Sequence, residues 1–275
     1  MYILFLLIAF LFTSCSSSDE EAEVLRKLNQ KGEFIYRKHN EHLFNPPLAE
    51  RVTPEAYPWE KGFTGTFPKI TKEFFRCKGS HLNPVRIVQQ KEEIARFYDC
   101  GGSEKHSLPL RDNKEFIHPI LIDLLNYIQA KTNKRVVITS GHRCPEHNTY
   151  VDPSPENQFS KHMVGAEVSF YVQGLEERPE SIVKLIQDYY QKTAKYKDKK
   201  DFQEFSRYEK GDTNVSTLPW MNKEIFIKLF TKKEGRNFDN RHPYPYLSIQ
   251  VRWDDIKKEK VIYTWDQANH NYLRR

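Results

Sequence analysis

From residue 111 onward the hydrophobic pattern switches repeatedly between a period near 3.6 and a period of 2. That switching restricts the chain to a fold mixing helices with short, half-buried strands. Ile117, Leu121, Leu124 and Ile128 predict a helix over 114–131, with Pro119 suited to its first turn. Arg135 to Ser140, ending at Gly141, reads as a buried strand. Over 166–173, Ala166, Val168, Phe170 and Val172 alternate with Glu167, Ser169, Tyr171 and Gln173, predicting a second strand. Ile182, Leu185, Ile186 and Tyr189 predict a helix after Pro179, followed by a charged, solvated stretch at 192–200. Leu247, Ile249 and Val251 mark a third strand, and Lys260 to Trp265 a fourth. The expected fold class is α+β with a small, mostly antiparallel sheet.

Composition narrows the classes of function. The 275 residues are only 38% hydrophobic but include 18 Phe, 15 Tyr and 4 Trp, a profile of a folded chain with a charged surface. The only long apolar run is Met1 to Phe12, which excludes a polytopic membrane protein. The net charge of +6 suits an acidic partner without naming one. With no basic stripe interleaved with aromatics, nucleic acid is not an expected partner.

The N-terminal run is too short to span a bilayer and fits the apolar part of an export signal. With Ser14-Cys15 and a polar stretch after it, the arrangement resembles a bacterial lipoprotein signal, although no Lys or Arg precedes the run. The resemblance implies removal of residues 1–14 and lipidation of Cys15. Ser16 after the cysteine implies an outer-membrane location facing the periplasm in a host with two membranes. Residues 15–32 read as a polar tether and 33–110, rich in Pro and scattered aromatics, as an irregular cover, with short helices expected near 22–31 and 90–97. The domain proper is 111–275. Under oxidising conditions Cys77 and Cys100 are expected to form a disulfide, contributing about 3–4 kcal/mol. Cys144 is left as a small packing residue.

Two motifs concentrate the chemistry. Ser140-Gly-His-Arg-Cys-Pro-Glu-His-Asn148 follows a strand, and Ser160-Lys-His-Met-Val-Gly165 leads into the next. Their order and placement resemble the zinc DD-/LD-peptidases of bacterial cell walls, which have the Hedgehog/DD-peptidase fold. That family reads S-G-[YH]-R-[SC]-x-x-H-N, then S-x-H-x-x-G-x-A-x-D. The resemblance covers about 112–175 and, more weakly, 246–252. It implies ligand-binding roles for Ser140, Arg143, His147 and Ser160, and His162 as a zinc ligand; Arg252 adds a further donor suited to carboxylates.

The departures bear on zinc. Ser169 stands at the family's ligand Asp, and Ser248 and Gln250 stand where a later strand carries His-x-Asp. Catalytic zinc needs three protein ligands and a water, and Ser and Gln are poor replacements. One reading is therefore an exported lipoprotein that binds peptidoglycan stem peptides or a wall-associated partner, with zinc catalysis lost or much reduced. The alternative is an active zinc peptidase with a rearranged His162/Glu167/His242 site and Asp239 as general base. For Asp239 and His242 a turn rich in Asn and Pro is the simpler role.

Overall fold

The computed structural model describes residues 20, 23–27, 62–90 and 93–275. Cys15, the apolar run and most of the tether lie outside the described residues. Residues 23–27 are helical, inside the expected 22–31. Glu55–Arg275 form one compact unit, to which everything below belongs.

Helix α1 is Pro119–Thr132, with proline in its first turn and Asn133 ending it in a left-handed conformation (φ 48°). Strand β1 is Val136–Ser140, helix α2 is Pro145–Val151 and strand β2 is Glu167–Val172. Helix α3 is Pro179–Lys192, and four strands follow: β3 (Ser206–Arg207), β4 (Trp220–Met221), β5 (Ile225–Phe230) and β6 (Tyr246–Val251). They form one sheet in the order β1-β2-β6-β5-β4-β3 with every neighbouring pair antiparallel. The architecture is mixed α and β, as the switching periodicity requires.

Alternation gives the sheet two different faces. Val168, Phe170, Ile225, Ile227, Leu247, Ile249 and Val251 join Leu121, Leu124 and Ile128 of α1 and Ile182 and Ile186 of α3 in one core. On the opposite face the antiparallel register aligns Ser140, Ser169, Ser248 and Lys228 in a row across four strands. Glu167 faces Gln250 in the adjacent row. A register shift between Ile138 and Ser140 brings Ser140 opposite Ser169.

Some local expectations change. In place of the helix expected near 90–97, Glu93–Phe97 pairs antiparallel with Arg86–Gln90, with Ile87 and Ile94 exposed. The expected fourth strand shrinks to Glu259–Lys260, paired with Trp253–Asp254 outside the main sheet. Thr264 then opens a helix over Trp265–His270 with a reciprocal capping box, which ends any extended run there. Strand β5 carries no clean alternation in sequence: within Ile225 to Phe230 only Lys228 is polar, with Phe226 and Phe230 on the same face as it.

From residue 62 onward the cover docks tightly on the domain. Asn126 of α1 binds both the amide (2.9 Å) and the carbonyl (2.7 Å) of Ile70, and His142 donates its amide to the Phe75 carbonyl at 2.6 Å. A Cβ on Gly141 would sit 2.6 Å from the Phe75 backbone, so glycine at this strand end is what admits the cover. The tail returns along the cover, with Ser107 bonded to the Leu273 carbonyl and Arg275 to that of Lys105.

Candidate functional site

His162 lies on the turn entering β2, fully enclosed beneath the polar face of the sheet. Its Nδ1 donates to the Gly141 carbonyl at 2.7 Å, which leaves the Nε2 lone pair facing Glu167 Oε1 at 3.6 Å. The same Glu167 oxygen accepts hydrogen bonds from Ser248 Oγ (2.5 Å) and Gln250 Nε2 (3.0 Å). Burial opposes ionisation of Glu167, but His162, Lys228 and the two donors outweigh it and bring its pKa down to about 2. Burial pushes His162 down to about 4, so its ring is neutral at pH 7. Ser248 thus serves Glu167 as a hydrogen-bond donor.

The rearranged zinc site does not assemble. Among the described residues, no third His, Cys, Asp or Glu offers a ligand atom within 4.8 Å of both His162 and Glu167. His242 instead packs its ring among Tyr171, Tyr244 and Tyr246, at centroid distances of 5.0–6.0 Å. Asp239, the candidate general base, is fully engaged. It accepts from Ser140 Oγ (2.6 Å), Arg143 Nε (2.9 Å) and His147 Nε2 (2.9 Å). Despite its burial, Arg143 and His147 hold its carboxyl far below the ordinary range. One imidazole and one carboxylate, with their remaining neighbours Ser and Gln, do not fit a catalytic zinc.

Three of the anticipated ligand-binding residues therefore serve an internal network. His147 bridges Asp239 and Asp99, with Nδ1 2.7 Å from Asp99. Burial works against its charge, yet the two carboxylates raise its pKa to about 9, so both ring nitrogens donate. Asp99 also accepts from the Ser80 amide and from Asn83. Arg143 spends only Nε on Ser140 and Asp239; among the described residues neither terminal nitrogen has a partner. Ser160 joins the two motifs through Asn148 at 3.1 Å.

Arg252 occupies a different place. It lines an open groove of about 710 Å³ with Lys161, Lys228, Gln250, Tyr208 and Tyr263, and with Glu156 and Asp212 on the same walls. Gln250 both lines this groove and touches Glu167, so the groove reaches the edge of the His162 region.

A second constellation lies where the cover meets the first motif. Cys77, Cys100, Cys144 and His106 are all buried, and one ligand atom from each lies within 4.8 Å of all the others. This cluster can hold a metal ion. The expected disulfide is absent: all three cysteines are free, with Cys77 and Cys100 Sγ 3.9 Å apart. The pair does meet, but Cys144, expected merely to pack, meets it too. The neighbouring Cys144 and Cys77 thiols pull the Cys100 pKa far down. Burial opposes protonation of His106, and the Cys100 sulfur at 3.7 Å reverses that, so the site attracts positive charge. His106 carried no sequence signal, since it stands outside both motifs.

The cluster and the network are continuous. Asp99 precedes Cys100, and Cys144 caps α2 by accepting the His147 amide at 3.4 Å. Comparison of the chain with protein-family models, with curated proteins and with solved structures finds no match.

Proposed function

We propose that this chain is an exported, lipid-anchored protein with a cell-wall-peptidase-like sheet, which binds carboxylate-bearing stem peptides of peptidoglycan without hydrolysing them. The observation that carries the reading is Glu167 turned toward His162 and tied off by Ser248 and Gln250, where a catalytic zinc would need further ligands. The groove beside it supplies recognition in place of catalysis. Lys161, Lys228 and Arg252 offer positive charge, Gln250 a neutral donor, and Tyr208 and Tyr263 apolar faces with polar edges. The anchoring part of the proposal rests on Cys15 and the apolar run before it. Among the described residues no helix is long and apolar enough to cross a membrane.

The test uses the intact protein, purified muropeptides and purified sacculi. Calorimetry should show salt-sensitive binding of muropeptides, weakened in a Lys228→Ala/Arg252→Ala double variant, with no new products released from sacculi. Absence of binding would overturn the reading. Peptide cleavage abolished by His162→Ala would replace it with the active zinc peptidase.

A further inference from the structure

We infer that Cys77, Cys100, His106 and Cys144 form a closed, tetrahedral structural zinc site that fastens the cover to the first motif. Four observations support the assignment, and none depends on the peptide-binding reading. The donor set is three sulfurs and one imidazole, a combination that favours zinc over the oxygen-seeking cations. The spacing fits one ion at the centre. For Zn–S near 2.3 Å and Zn–N near 2.05 Å, a tetrahedron has S–S edges of about 3.8 Å and S–N edges of about 3.6 Å. The Cys77–Cys100 and Cys100–His106 separations are 3.9 and 3.7 Å.

The imidazole is set in the ligating tautomer. His106 Nδ1 faces the Ser107 carbonyl at 3.1 Å, and a carbonyl only accepts, so Nδ1 carries the hydrogen. In the neutral ring Nε2 then presents its lone pair to the sulfurs, the arrangement in which the outer nitrogen of a metal-bound histidine is held. The surroundings are equally specific. The chain passes so close over Cys100 that a Cβ on Gly79 would lie 2.1 Å from its sulfur. Tyr272 of the returning tail packs against the cysteines.

Zinc binding here takes the three sulfurs as thiolates, each sulfur that still carries a hydrogen releasing it to solvent as its Zn–S bond forms, while His106 binds through the Nε2 lone pair of its neutral ring. With four protein ligands no position remains for a water, so the role is structural. The ion ties together Cys77 after the Phe75 turn, Cys100 after the Glu93–Phe97 strand, His106 beside the tail, and Cys144 at the start of α2.

The experiment measures metal content by mass spectrometry and reactive thiols in the intact protein, with and without denaturant. One zinc per chain is expected, with three thiols that react only after unfolding and chelation. His162→Ala should retain that zinc, and Cys144→Ser should lose it. Because Cys144→Ser can also misfold, cobalt is substituted into the unaltered protein, where intense thiolate-to-cobalt charge-transfer absorption is expected. A Cys77–Cys100 disulfide, a metal-free protein that takes up no added zinc, or cobalt absorption lacking thiolate bands would each overturn the assignment. If muropeptides fail to bind while zinc persists in His162→Ala, the peptide-binding reading falls and the zinc site stands.

Discussion

The floor of the sheet and the seam beneath the cover both gather metal-ligating side chains, but they resolve the cost of burying them differently. At the floor, the carboxylate of Glu167 is satisfied by two hydrogen-bond donors and lies 3.6 Å from a neutral imidazole. At the seam, three sulfurs and an imidazole converge, with mutual thiol contacts taking the place of strong donors. A buried anion that has found hydroxyl and amide donors has little to gain from a cation. A group of buried thiols has much to gain, because thiol hydrogen bonds are weak and their thiolates bind soft or borderline metals well. Among the described residues metal-binding capacity therefore sits at the seam, where Cys100 follows Asp99 and Cys144 caps the helix that carries His147.

The largest effect that separates the two regions should come from the sulfurs. Cys100→Ser or Cys144→Ser is expected to remove the zinc and lower stability by about 4 kcal/mol, roughly 10 °C in thermal midpoint for a chain of this size. His162→Ala should leave the zinc in place. Calorimetry of the matched variants checks both. A similar loss, about 3–5 kcal/mol, is expected for Asp239→Asn, which leaves the Arg143 guanidinium and the His147 imidazolium buried without a full counter-charge. Denaturant unfolding measures it.

The network should also respond to pH. The His147 pKa is raised from 6.5 to about 9, so the folded state holds this proton more tightly than the unfolded chain. Its stabilising contribution is complete below about pH 6.5 and is lost as the pH rises through 9. Asp239 acts in the opposite sense, its pKa being depressed; its contribution is present above about pH 4 and fades only in acid. Unfolding free energies should therefore decline between pH 6.5 and 9 in the unaltered protein, and a His147→Gln variant should show a flatter profile. An equal decline in both would remove the imidazolium from the account.

A smaller and more local effect is expected at the cover. Gly141→Ala forces a methyl group against the Phe75 backbone and should destabilise by about 1–3 kcal/mol, with faster proteolysis between residues 72 and 106. The smallest is at the groove, where Arg252→Ala should weaken muropeptide binding several-fold, about 1 kcal/mol, with no change in zinc content or folding. Titration calorimetry reads the first and metal analysis the second.

The two regions also differed in how far their residues could be read in sequence. Helices α1 and α3 and strands β1, β2 and β6 were legible because one face of each is buried in a single core, which stamps a period on the sequence. Strand β5 was not, since Phe226 and Phe230 flank Lys228 on its second face and blur the alternation. The meeting of Cys77 with Cys100 was legible from their spacing, but the character of the contact was not. It depends on Cys144, 44 positions beyond Cys100, and on His106, which no periodicity or motif marks. The same limit applied to Asp239, whose D-x-x-H spacing with His242 suggested a base beside a ligand. Tertiary structure separates their roles, placing Asp239 under Arg143 and His147 and His242 among three tyrosines.

The central claim is that metal binding belongs to the thiol seam and has left the sheet floor without a catalytic ion. Zinc-to-protein ratios for the unaltered protein, His162→Ala and Cys144→Ser, measured on the same folded preparations, test it most directly. The expected ratios are one, one and zero. Zero in His162→Ala with one in Cys144→Ser would place the ion at the floor and contradict the account.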